Sequence, residues 1–155
     1  MKRAAVLALL GLALACAGPP PLAVPEGGAV AVEPEVALAL RRRVEGFYLR
    51  LAHRRFDTLE TYNDFIMRDY FQSLDLFFDY YADLAEDLTA ARFDRNRPTS
   101  VSVLEFLFED AKTAQVLVRF VGDDGRPLRP GSVELVRTDR WEFTEGTWWL
   151  RPGKV

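Results

Sequence analysis

Thr113-Ala-Gln-Val-Leu-Val-Arg-Phe-Val121 alternates residue by residue, with Ala114, Val116, Val118 and Phe120 on one face. A period of two marks a strand with one buried face. Upstream of Ala91 the apolar residues instead recur every three or four positions, the period of a helix face. Helices first and antiparallel strands afterwards make an α+β domain, with N-terminal helices packed on one face of a curved antiparallel sheet.

Downstream of Val121, Gly122 to Pro127 reads as a loop, extended by Arg129-Pro130-Gly131. Ser132 to Thr138 is a further strand, and Arg140 to Phe143 either continues it or follows a bulge. Thr144-Glu145-Gly146 turns the chain into a last strand, Thr147 to Leu150. Trp148 and Trp149 are adjacent there, so their side chains take opposite faces, one toward the core and one needing a cover. Upstream of Thr113, Glu109 to Lys112 is a polar turn, Ser100 to Phe108 has strand composition, and Asn96-Arg97-Pro98 reads as a turn.

The helical half starts at Pro34, a residue suited to a first helical turn. Leu40, Val44, Phe47, Tyr48 and Leu51 form one apolar stripe of a helix ending near Arg55. Asp57-Thr58-Leu59-Glu60 offers an N-cap with an acid three residues on. Apolar residues then keep helical spacing from Leu59 to Leu88, longer than most globular helices. A break near Met67–Asp69 is expected, giving pieces over 58–67 and 69–91.

Before Pro34 the chain changes character. Lys2 and Arg3 precede an uncharged apolar run, Ala4 to Leu14, and Ala13-Leu14-Ala15 stands before Cys16, the only cysteine. That order is a secretory signal, with an apolar run too short to span a bilayer. With Cys16 at the first mature position it resembles a bacterial lipoprotein signal. The resemblance implies lipidation of Cys16, and, because Ala17 is not Asp, outer-membrane sorting facing the periplasm in a Gram-negative cell. The expected organisation is a signal peptide over 1–15, a lipidated cysteine and Pro/Gly-rich tether over 16–33, and a single α+β domain over 34–155. Pro19-Pro20-Pro21 extends the tether and Gly27-Gly28 loosens it, with a reach of at most ~55–60 Å.

Loss of Lys2 and Arg3 with the signal takes the basic residues from 20 to 18 against 23 acidic ones, a formal charge of −5. That balance, without a Lys/Arg tract, argues against nucleic acid as a partner. It also makes acyl chains, rather than anionic headgroups, the hold on the membrane. One cysteine excludes a disulfide framework, and one histidine with no Asp-rich loop excludes zinc-finger and EF-hand arrangements. No metal or cofactor is expected. Asp75, Asp79, Asp83, Glu86 and Asp87 share one helical side, read as a solvated face or one paired with Arg43, Arg50 and Arg54.

Phe47-Tyr48-x-x-Leu51 followed by Phe56-Asp57-x-Leu59, with the closing Arg140-Trp141 and Gly146-x-Trp148-Trp149-Leu150, resembles the nuclear transport factor 2-like (SnoaL-like, cystatin-like) superfamily. The resemblance spans about residues 35–151 and implies a cone whose sheet and long helix enclose a pocket. The strand pair that this family commonly places between its second and third helices is not read between Met67 and Tyr70.

Enzymatic members resembling ketosteroid isomerase would need a carboxylate or His base beside a Tyr donor inside the cone. His53, Tyr48, Tyr62 and Asp64 are the candidates. His53 stands at a helix end, where the dipole alone favours it. Asp64 lies two residues from both Tyr62 and Ile66, on the far side of their stripe. No catalytic set is therefore assigned. The pocket candidates are Phe47, Tyr48, Leu51, Phe77, Phe78, Tyr81, Val116, Val118 and Phe120, an apolar lining that gives affinity through burial. Three readings stay open: a lipid-anchored envelope domain that binds a small apolar ligand or a partner protein, a pocket enzyme of isomerase or dehydratase type, and a structural assembly lipoprotein.

Overall fold

A computed structural model describes Leu22 and residues 30–153. The signal over 1–15, Cys16 and most of the tether lie outside the described residues. Among the described residues four helices, α1 (Pro34–Leu51), α2 (Leu59–Tyr62), α3 (Phe65–Arg68) and α4 (Leu74–Ala90), precede four strands. These are β1 (Phe93–Phe108), β2 (Thr113–Asp124), β3 (Ser132–Thr144) and β4 (Thr147–Arg151), forming one antiparallel meander in chain order. The sheet curls into a half-barrel around the helices, the α+β arrangement expected from the change of period.

Helix α1 buries the expected stripe, Leu40, Val44, Phe47, Tyr48 and Leu51, but stops at Leu51 rather than near Arg55. The cause is capture by β1. The His53 N–H donates to Pro98 O at 2.7 Å and the Phe56 N–H to Asn96 O at 3.1 Å, with His53 at a left-handed φ of 67°. The N–H groups of His53 and Phe56 thus go to β1 rather than to carbonyls of the preceding helical turn.

The long apolar run after Leu59 breaks differently from the expected two pieces. Thr58, rather than Asp57, caps α2. The Asp64 carboxylate accepts the N–H groups of Ile66 (3.1 Å) and Met67 (3.2 Å), starting α3. Ser73 Oγ accepts the Leu76 N–H at 3.3 Å, starting α4. An N-cap residue leaves helical φ/ψ, so each cap interrupts a periodicity that the apolar residues alone keep.

The strands follow the alternation, with two differences. Asn96-Arg97-Pro98 is not a turn between elements; it lies within β1, where Arg95 and Asn96 adopt left-handed φ and the register shifts between Phe93 and Pro98. Gly122 serves this irregular stretch, since a Cβ there would come within 2.5 Å of the Phe93 ring and 2.8 Å of Arg97 O. Gly122 to Asp124, read as the start of a loop, instead end β2, and of the two readings for Arg140 to Phe143 the continuation holds, with β3 unbroken from Ser132 to Thr144.

Ala114, Val116, Val118 and Phe120 do share the inner face. Their β3 partners in register are Trp141, Asp139, Arg137 and Leu135. Trp148 turns inward and its Nε1–H donates to Val36 O at 3.0 Å, tying β4 to α1. Trp149 turns outward, half-buried under the Arg43 guanidinium at 5.2 Å from its ring centroid. Within the segment read as a tether, Leu22 is buried, and its N–H donates to the Glu105 carboxylate on β1 at 3.2 Å. No helix among the described residues is long and apolar enough to cross a membrane.

Candidate functional site

The inner face of β3 carries Leu135, Arg137, Asp139 and Trp141 in period two, so a charged pair points at the helices from between apolar neighbours. Asp139 is 1 % exposed. Its Oδ2 accepts the hydroxyl of Tyr48 on α1 at 2.5 Å and that of Tyr80 on α4 at 2.9 Å. Its Oδ1 accepts Arg137 Nε at 2.8 Å, and Arg137 Nη1 reaches Asp87 on α4 at 3.0 Å. The Arg137 guanidinium also lies 5.0 Å from the Tyr80 ring centroid. One network thus joins α1, α4 and β3.

Burial and the Asp139 charge push both the Tyr48 and Tyr80 hydroxyls well above the usual 10.0. Burial works against the Arg137 cation, but the charges of Asp139, Tyr80 and Asp87 and the Asp139 hydrogen bond outweigh it and raise its pKa. The two phenols are thereby kept neutral and the Arg137 guanidinium charged, and the network ties helices to sheet.

The expected pocket residues divide into two groups. Phe47, Tyr48, Leu51, Phe77, Val116, Val118 and Phe120 are all buried, at no more than 2 % exposure. They are packed on one another and on Trp141: the Phe47 ring lies 5.2 Å from Tyr48, 5.6 Å from Tyr80 and 5.9 Å from Trp141. Phe78 and Tyr81 stand apart on the flank of α4, half-buried. Phe78 stacks on Tyr62 at 4.4 Å with an interplanar angle of 4°, and the Tyr81 hydroxyl donates to Thr58 O at 3.3 Å. Their work is to hold α2 against α4.

His53 is exposed and lines a cleft of about 380 Å3 with Arg54, Arg55 and Arg97; Tyr48, Tyr80, Arg137 and Asp139 are not among the described residues of that lining. Asp64 is 7 % exposed and bonds Arg50 (2.9 Å) and Arg54 (3.1 Å) besides capping α3. Burial alone would raise its carboxyl, but the Arg50 hydrogen bonds, the Met67 N–H and the two guanidinium charges hold it below the ordinary 3.8. Arg50 and Arg54 are thereby occupied by Asp64, and of the acids on α4 it is Asp87 that is bonded inward, to Arg137.

A second cleft, of about 550 Å3, opens between the start of α4 and β4, lined by Arg43, Arg68, Ser73, Thr147 and Trp149 among others. Among the described residues no group of three or more His, Cys, Asp or Glu side chains is placed to hold a metal ion. Sequence reading passed over Arg137, Asp139 and Tyr80. The signal for the first two was present, since alternation from Leu135 to Trp141 places both on the core face.

No protein-family model matches this chain, and neither a curated protein nor a solved structure matches it.

Proposed function

We propose that this chain is a lipid-anchored, extracytoplasmic binding domain without catalytic function, held at the membrane through Cys16. Its recognition of a partner in the cell envelope uses the outer surface rather than the hollow of the cone. The observation that carries this reading is the filled interior: Phe47, Tyr80, Phe120 and Trp141 are fully buried, and the Asp139 carboxylate is saturated by Tyr48, Tyr80 and Arg137. A binding cone would leave those apolar faces open to a ligand, and an isomerase would leave a carboxylate facing open space.

Four helical segments ahead of a curled four-stranded meander support kinship with the nuclear transport factor 2-like superfamily, in a form lacking the strand pair between helices. The signal layout ending in Cys16 supports the anchor. Metabolic labelling of the full chain with a clickable fatty acid tests the reading. Label in the membrane fraction is expected for the native chain and none for Cys16→Ser; label retained in Cys16→Ser contradicts it.

A further inference from the structure

We propose that the cleft between the start of α4 and β4 is a binding site for a phosphate monoester group, held by Arg43 and Arg68. This goes beyond the envelope-binding reading and does not depend on the lipid anchor.

Arg43 and Arg68 both line the cleft, and neither forms an ion pair with a carboxylate among the described residues. Arg43 is held by backbone carbonyls instead, donating through Nε to Trp148 O and through Nη2 to Asp69 O. Its Cζ lies over two rings, 4.7 Å from the Tyr70 centroid and 5.2 Å from that of Trp149. Arg68 is held the same way. Its Nη2 donates to Tyr62 O (2.8 Å) and Asn63 Oδ1 (3.1 Å), and the group lies 5.6 Å from both the Phe77 and Phe78 rings. Its Nε is buried without a hydrogen-bond partner.

A guanidinium has five N–H donors, and these contacts use only some of them in each case. Two cations are thus held by groups that do not neutralise them, each with donors left over, and both residues line a cleft of ligand size. Burial already lowers the Arg43 pKa, an unfavourable position for a cation that an incoming anion would relieve. Ser73 and the start of α4 stand on the same wall, where the helix dipole adds to the positive potential. Asp69 is the one acid among the described residues of the lining. Two cations and a helix start against one carboxylate leave the cleft positive, which suits a dianion better than a single carboxylate. Arg is the side chain whose planar fork matches phosphate oxygens.

The test is a titration of the purified full chain with inorganic phosphate, followed by tryptophan fluorescence. Trp149 is half-buried at the cleft, whereas Trp141 and Trp148 are buried in the core. A saturable change is expected that sodium chloride at matched ionic strength does not reproduce. Arg68→Gln should weaken it by about tenfold or more, the loss of one charge-assisted contact. Should Arg68→Gln melt well below the native chain, Thr147→Glu decides instead, because it places a carboxylate at the cleft without removing any Arg contact; it too should weaken binding by about tenfold. Absence of a saturable response in the native chain overturns the proposal. So does native-like affinity in a folded Arg68→Gln or in Thr147→Glu.

Discussion

The Arg137 guanidinium lies beneath the helices between Asp87 and Asp139, whereas Arg43 and Arg68 line a surface cleft and rest their guanidinium groups on backbone carbonyls and aromatic rings. The difference follows from solvent. A cation taken out of water is tolerable only with an anion beside it, and Asp139 in turn needs the hydroxyls of Tyr48 and Tyr80 to complete its shell. At the cleft, water remains available, so carbonyls and ring faces suffice to hold the side chain. The inner region is saturated and fixes the fold, and the outer one keeps donors free for a ligand. Stability and binding therefore belong to different arginines.

The largest expected effect comes from breaking the inner region. Asp139→Asn leaves Arg137 with Asp87 alone and presents an amide to two phenols, and should cost about 3 kcal/mol in urea unfolding. Phosphate binding by the folded fraction should be unchanged. An equal loss from Arg68→Gln would erase the distinction between the two regions.

Tyr48→Phe should cost about 1.5–2 kcal/mol, the worth of a buried hydrogen bond to a charged acceptor. The same pair of phenols gives the protein an alkaline limit. Their folded pKa values are raised above the unfolded 10.0. The stabilisation linked to them is therefore complete below pH 10 and lost as pH rises above it, because only the unfolded chain releases those protons. Tyrosinate absorbance should show a late fraction of tyrosines ionising together with unfolding. Ionisation of all five tyrosines in the folded protein would contradict this.

Asp64 works in the opposite direction. Its folded pKa lies below the ordinary 3.8, so its contribution is present above that value and lost as pH falls through the folded one. Asp64→Asn should cost about 1 kcal/mol at neutral pH and flatten the acid limb of the stability profile. The smallest effect is expected at the exposed His53, where Asn also tolerates a left-handed φ. His53→Asn should change stability by less than about 0.5 kcal/mol and leave phosphate binding intact.

The sheet was largely legible because burial on one face forces strict alternation, and Ala114 to Phe120 showed it without interruption. The helical half was less so. Periodicity reports which face is apolar and is blind to a side chain that caps. Asp64 and Ser73 therefore set boundaries that the stripe of apolar residues ran straight across. Arg54 and Arg55 looked like a helix end, but His53 and Phe56 bond to β1, to residues forty-five and forty positions on, a capture with no local sign. The candidate site poses a different question. Most of the aromatic residues chosen for a lining are buried, but composition cannot tell a lined hollow from a packed one. What decides between them is Trp141, Tyr80 and the Arg137–Asp139 pair filling the centre, and of these the pair was readable from the alternation of β3 alone.

Native mass spectrometry of the detergent-extracted full chain, incubated with a long-chain fatty acid, tests the closed interior most directly. A filled interior predicts the mass of the protein with its covalent anchor and no saturable non-covalent adduct. A fatty-acid adduct that saturates at one per chain would contradict it and return the ligand to the cone.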